Sequence, residues 1–322
     1  MYGRIIDSDM TLTQLNAFVL VARLGSVTAA ASALGVSEPA VSQALTALRQ
    51  HLGDQLISRG PNGMTLTAGG SRLLATASQI VVLGAEAHAA VRAAQGAPEQ
   101  LRVVATPSFA EFVAGPLMEA FSRRLASPVE VSASVAPTSE LGVLVANRLA
   151  DVAIGPLVRD PALDLVSEPV FRYRLVAVSG RGRPRGAPGQ WRWLVDASGT
   201  DPASDTGQLL TALRVPDERI GVMSNQTAAW AAAASGAGVA PAVEHLVAQQ
   251  LRRGELAVVD LPGLPAAGCW HVTTLPRQHR GAAASALRRF LSTPEAMQLM
   301  RSPSAGVPPS RFRPPVYVTI WS

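Results

Sequence analysis

Polar and small side chains with the reach to read a nucleic acid are concentrated in one stretch, Ser37-Glu38-Pro39-Ala40-Val41-Ser42-Gln43. Ser42 offers a hydroxyl and Gln43 a carboxamide, and a carboxamide can bond the edge of adenine through two hydrogen bonds. Pro39 and Ala40 supply apolar surface of the kind that meets a thymine methyl. Ser26 and Thr28 lie just upstream, where hydroxyls and helix-start N–H groups suit phosphate. Arg59 lies just downstream and suits a flanking minor groove or its phosphates. Glu38 is ambiguous: it repels phosphate unless it accepts from a cytosine amine, and its other role is to stabilise the positive start of a helix.

A second set is spread over the later chain. Thr106 and Ser108 follow an apolar run, as do Thr138 and Ser139, and Asn225 and Thr227 flank Gln226 at the start of a helical stretch. Each group would offer hydroxyls and helix N-terminal amides to an anionic or polar small molecule, or would serve as an ordinary helix cap. Their convergence on one cleft is the expectation. Catalytic patterns are missing: the sequence shows no phosphate loop, paired carboxylates, metal cluster or nucleophile elbow. His51, His88, His245, His271 and His279 are scattered. The lone Cys269 makes neither an internal disulfide nor a cysteine-based metal site, and reads as a small buried hydrophobe. No metal or resident cofactor is expected, and no catalysis.

The elements that must position the first set are short helices. Thr11-Leu12-Thr13-Gln14 reads as a capping box opening a helix with Leu15, Phe18, Val19 and Ala22 on one face, ending at Gly25. Ser26 caps a second helix with Val27, Ala30, Ala31 and Leu34 inward. Gly35-Val36-Ser37 turns the chain into a third, capped by Ser37, with Val41, Leu45, Leu48 and Leu52 facing the core. Two strands at 56–59 and 64–66, joined by a glycine-rich turn, form a wing. From Thr67 to about Ala94, Leu74, Ala77, Val81, Gly84, His88 and Val91 make a 3-4-3-4-3 seam, read as a dimerisation helix or else as a helix docked on its own domain.

Beyond Gln95-Gly96-Ala97-Pro98 the pattern alternates between strand and helix, with strands at 101–105, 129–135 and 152–154 and helices at 112–125 and 139–149. A second run starts at Arg174, and a last strand at 271–275 and helix at 282–291 return to the first half. This predicts two α/β lobes, two crossovers and a cleft. With 322 residues and 48% hydrophobic content the chain can bury several cores. The longest apolar run, near Ala228–Ala234, is too short to span a bilayer, no secretory signal opens the chain, and the protein is expected in the cytoplasm. The net charge of +5 carries no argument for DNA, because charges balance over residues 1–70 and the excess arginine lies elsewhere.

The run from Leu15 through Val21-Ala22-Arg23-Leu24-Gly25-Ser26-Val27-Thr28-Ala29-Ala30-Ala31 and Leu34-Gly35-Val36-Ser37-Glu38-Pro39-Ala40-Val41-Ser42-Gln43 resembles the N-terminal signature of LysR-type transcriptional regulators. It continues through Leu52-Gly53-Asp54-Gln55-Leu56-Ile57-Ser58-Arg59 to Leu66-Thr67-Ala68-Gly69-Gly70. Looser markers follow at Leu149-Ala150-Asp151-Val152-Ala153-Ile154 and at Ser235–Pro241.

The resemblance implies an α/β protein overall, with an N-terminal all-α winged helix-turn-helix over 1–67 and a linker and dimerisation helix over 68–97. It further implies a two-lobed, periplasmic-binding-protein-like effector domain over 98–301, with lobe I about 101–171 and 271–300 and lobe II about 172–270, before a Pro-rich tail over 302–322. The implied partners are double-stranded DNA at an interrupted palindrome, a second copy or a tetramer of the chain, and a small-molecule co-inducer. Contact with RNA polymerase is compatible with this, and no membrane is implied. The alternatives are an enzyme built on the lobes, for which no catalytic pattern is present, and a transport binding protein, which would need an export signal and have no use for residues 13–94. Two departures stand out: Ile57 replaces a phenylalanine, changing wing packing, and Arg49 replaces an acid, implying an added phosphate contact or an altered salt bridge. Because the family begins close to Met10, residues 1–9 read as a mis-assigned start or else as a short disordered arm.

Overall fold

The computed structural model describes residues 10–60, 63–125, 128–180, 184 and 186–302. The expectations for residues 1–9 and for the tail beyond Ser302 lie outside the described residues. The chain forms two compact units, one reaching to Pro98 and the other starting at Glu99.

In the first unit, α1 (Leu12–Leu24), α2 (Val27–Leu34) and α3 (Glu38–Leu52) begin on the caps the sequence supplies. Thr11 and Gln14 exchange hydrogen bonds at 2.9 and 3.2 Å, Ser26 Oγ accepts from Ala29 N–H, and Ser37 Oγ accepts from Ala40 N–H. Each helix ends on a glycine in the left-handed region, Gly25, Gly35 and Gly53, where a side chain would be strained. Leu15, Phe18, Val19, Ala30, Ala31, Val41, Leu45 and Leu48 fill the core. Leu52, expected there too, is 40% exposed because the helix stops and the chain turns away at Gly53.

The wing, β1 (Ile57–Gly60) against β2 (Gly63–Leu66), is antiparallel with Ile57 opposite Leu66. Its base is knotted by Asp54, whose carboxylate accepts from the Leu56 N–H at 2.6 Å and the Thr67 hydroxyl at 2.8 Å. Thr67 in turn caps α4 (Ala68–Ala94) through Gly70 N–H. The Leu56 amide first, and Thr67 second, hold the Asp54 carboxyl below its ordinary value of 3.8. A depressed folded value means this stabilisation is present above the ordinary value and lost as pH falls through the folded one. Asp54→Asn is therefore expected to melt earlier than the parent at pH 7, with the gap closing as pH falls below 4, followed by thermal melts across pH.

The second unit is built on β3 (Glu99–Ala105), followed by α5 (Pro107–Phe109), a π turn (Ala110–Ala114) and α6 (Gly115–Ser122). The expected helix from 112 thus begins earlier, at Pro107. Pro116 accounts for the wide turn, since its ring lacks an N–H and would clash with the carbonyl one turn back. Then come β4 (Val129–Val135), α7 (Thr138–Ala146), β5 (Val152–Gly155) and β6 (Val166–Ser179). The next elements are β7 (Trp193–Asp196), α8 (Asp205–Ala212), β8 (Ile220–Met223), α9 (Gln226–Ala234) and β9 (Ala240–Val243). The last are α10 (Ala248–Arg252), β10 (Ala257–Val259), β11 (Ala266–Thr274), α11 (Ala282–Leu291) and α12 (Pro294–Arg301).

Lobe I pairs β4, β3, β5 and β11 in that order, with β3 parallel to both β4 and β5. Lobe II is assembled on the far half of β6, which pairs with β9 and β10, while β7 runs parallel to β8 and bridges to Val239. β6 and β11 run unbroken through both lobes as an antiparallel pair. The expected lobe boundary at 171/172 and 270/271 therefore falls inside two strands, and the run expected to begin at Arg174 is the second half of β6. Cys269, expected to be buried, is only half-buried on β11, and burial pushes its thiol up.

Candidate DNA interface and effector cleft

The exposed face of α3 is where the sequence placed it. Glu38, Pro39, Ala40, Ser42 and Gln43 all lie at the surface, as do Ser37 and Thr28, with Ser26 half-buried by its capping bond. Ser42 and Thr46 of α3, Val27 of α2 and Ser58 and Met64 of the wing line a groove of 400 Å³. A helix projecting its first turns beside a groove walled by a β-hairpin is the shape that enters a major groove. Arg59 sits in β1 opposite Met64, and its side chain lies outside those described.

Arg49, which departs from the family pattern, is engaged within its own unit. Its guanidinium donates from Nε to Gln55 O at 2.8 Å and from Nη2 to Ile57 O at 3.1 Å, clamping the segment that leads into the wing. A cation in the last turn of α3 finds the carbonyls of the next segment within reach. It therefore fixes the angle between α3 and the hairpin.

On α4 the seam read from the sequence faces mostly inward. Ala77 and Val81 are buried, Leu74 is half-buried, and a side chain on Gly84 would meet Leu12 of α1 at 3.0 Å. Val91 is exposed, as is His88. The stripe left uncovered lies one residue back along the helix, with Thr76, Leu83, Ala87, Ala90 and Ala94 exposed and Leu73 and Ile80 half-buried. With a mean hydropathy of 1.3 over 18 of its residues, this helix is also long and apolar enough to cross a membrane by length and composition, unlike the run Ala228–Ala234.

In the second unit a cavity of 370 Å³ opens between the lobes, lined by Thr138 and Ser139 of α7, the Pro156–Asp160 loop, Ala203, and Asp205 and Gln208 of α8. It does not gather the other expected positions. Thr106 is buried and makes no capping bond, and Ser108 is half-buried in α5. Asn225 caps α9 by accepting from Ala228 N–H at 2.8 Å. The N–H groups of Gln226 and Thr227, expected to be open to a ligand, instead donate to the carboxylate of Glu111 from the opposite lobe. Ser139 N–H donates likewise to Asp201 at 2.9 Å. Glu140, beside it, is raised by burial and then by the nearby Asp201 charge.

Two family models match this chain. Residues 12–71 match the bacterial regulatory helix-turn-helix protein of the lysR family, and residues 94–293 match the LysR substrate binding domain. The chain belongs to the LysR family. An uncharacterised helix-turn-helix-type transcriptional regulator of Mycobacterium tuberculosis is 36% identical over 325 residues, spanning 97% of this chain and 100% of the relative. The regulator CfxR of Cupriavidus necator is 29% identical over 301 residues, 88% of this chain and 91% of CfxR. In fold, ArgP of Mycobacterium tuberculosis matches with a TM-score of 0.51 and 21% identity, covering 87% of this chain and 95% of that one.

This LysR-type DNA-binding transcriptional regulator carries its two later signature runs for structural reasons. Asp151 accepts from the backbone N–H, Nε and Nη2 of Arg102, tying β3 to the start of β5. Gly238 lies where a side chain would come within 2.4 Å of Arg192 O, so only glycine lets β9 reach β7. Glu111, Asp201 and Asp54 were missed as positions of interest. The available signal for Glu111 was a lone carboxylate inside the apolar run Phe109-Ala110-Glu111-Phe112-Val113-Ala114.

Proposed function

We propose that this regulator acts in the cytoplasm as a homodimer on an interrupted palindrome of double-stranded promoter DNA, and is switched by a small molecule bound between its lobes, without catalysis. The exposed first turns of α3 carry the reading: Ser42 and Gln43 reach base edges, Pro39 and Ala40 pack on methyls, and Ser26 and Thr28 hold phosphate. The uncovered apolar stripe of α4, on which Leu83 is 62% exposed and Val91 beside it 58%, seats the second copy. A bilayer suits this helix less well, because its other face is covered by α1 and the helix carries Glu86 and His88. A dimer of this kind sets two half-sites about one helical turn, roughly 34 Å, or a multiple apart.

Selection from sheared genomic DNA with the purified full chain is expected to recover such a site. Gln43→Ala should weaken it by about 1–3 kcal/mol and leave random duplex binding unchanged, measured by titration at fixed salt. Equal weakening on random DNA would remove Gln43 as a base reader, and recovery of no fragment would remove the reading itself.

A further inference from the structure

The donors that a ligand would use at the start of α9 already have an occupant. Glu111, on the π turn of lobe I, accepts from the N–H groups of Gln226 and Thr227, each at 3.2 Å, and from the Thr227 hydroxyl on lobe II. Two N–H groups and a hydroxyl around one carboxylate are what a helix start offers an anion. The carboxylate is held there by its own element, because Phe109, Ala110, Phe112, Val113 and Ala114 on either side of it are all buried, and the Phe112 ring stacks on Trp230 of α9 at 4.9 Å. On the other flank of the cleft the arrangement recurs with the lobes exchanged, Asp201 of lobe II taking the Ser139 N–H of lobe I.

We propose that Glu111 is a built-in occupant of the anion-binding start of α9 where the two lobes meet, a latch joining the lobes that an effector has to release in order to act. The inference rests on the reading that the cleft takes an effector. A molecule that claims these donors has to bring a strongly accepting group of its own and displace a carboxylate tethered beside them. Binding at this place is therefore an exchange of one acceptor for another, and the change it makes is the loss of the bond between lobes.

The test follows amide hydrogen exchange at Gln226 and Thr227 in the full chain. Both amides should be protected in the parent. In Glu111→Ala they should exchange about tenfold faster, and sodium acetate, which supplies a free carboxylate, should restore protection saturably where sodium chloride at equal ionic strength does not. Glu111→Gln keeps the side chain's size and is expected to exchange at least about threefold faster with no response to acetate. Unchanged exchange in both variants, or equal effects of acetate and chloride on Glu111→Ala, overturns the latch. On an operator fragment from the selection above, Glu111→Ala should alter the footprint without added effector. An unaltered footprint alongside faster exchange overturns the switching role. If no operator can be selected, the proposed function fails, while the exchange experiment still decides whether the latch exists.

Discussion

Trp270→Ala is expected to destabilise the effector domain by about 3–5 kcal/mol. Trp270 is 2% exposed on β11, where Phe109 meets it edge-on at 5.0 Å and Phe171 stacks on it at 5.5 Å. Tyr173 lies at 5.1 Å and His245 at 5.8 Å. These neighbours come from α5, from β6 and from the segment after β9, so no single element can move in to fill the space. Beside them, a side chain on Gly268 would lie 2.1 Å from the Tyr173 ring, and the Tyr173 hydroxyl donates to Asp205 at the start of α8. The loss is a large share of an ordinary domain's net stability and corresponds to a fall in melting temperature on the order of 10 °C. Calorimetry of the full chain measures it. Trp270→Phe should recover most of it, and a loss under about 1 kcal/mol for the alanine would mean that the ring cluster collapses around the gap.

Gly70→Ala is expected to abolish specific DNA binding without touching a residue that meets DNA. A side chain there would lie 2.0 Å from the Leu56 carbonyl oxygen and 2.9 Å from its carbon, both backbone atoms of the segment that starts the wing. Leu56 is already in the left-handed region at φ 58°, its N–H is bonded to Asp54, and its carbonyl accepts from Thr67 N–H. It has nowhere to retreat. The start of α4 must withdraw from the hairpin, at a cost of about 3 kcal/mol or more, and the hairpin loses its angle to α3. Gly84→Ala is the matched comparison, because its new methyl meets only the movable end of Leu12 at 3.0 Å and should leave operator affinity within about twofold. Parallel operator titrations and melts of the two variants decide between this and a tolerant wing base, in which the two would behave alike.

What could be read from the sequence was what is local. The caps at Thr11, Ser26 and Ser37 and the glycines that follow each helix are decided within a few residues, and they alone put Ser42 and Gln43 on an exposed face. On α4 the sequence leaves two stripes open, because Leu73 and Leu74, or Ile80 and Val81, are equally apolar neighbours. Periodicity cannot tell two stripes about 100° apart on one helix, and only the packing of α1 settles which one is covered. β9 escaped notice because Ala240-Pro241-Ala242-Val243 has little strand preference of its own and is made a strand by pairing with β6. α8 was missed for a similar reason, since Asp205–Ala212 is short and holds a glycine. The cleft was the least legible part. Thr106, Ser108, Thr138, Ser139, Asn225 and Thr227 were chosen for being helix starts, and Glu111 and Asp201 lie more than sixty residues from the donors they take, a distance no local pattern crosses.

The pair formed by β6 and β11 gives the effector domain a mechanical character. In proteins whose lobes are joined by loose loops, the halves can part by unfolding a few residues. Here any parting would have to break a ladder of hydrogen bonds that runs from Ala266 opposite Leu175 to Thr274 opposite Val166. The ladder does have one soft place. Its register shifts between Trp270 and His271, which face Phe171 and Pro169, so that Val170 is skipped and the strand can bend and twist there. Within the effector domain the ladder thus favours twisting of one lobe against the other, with the pivot at the register shift beside the aromatic cluster, over their separation.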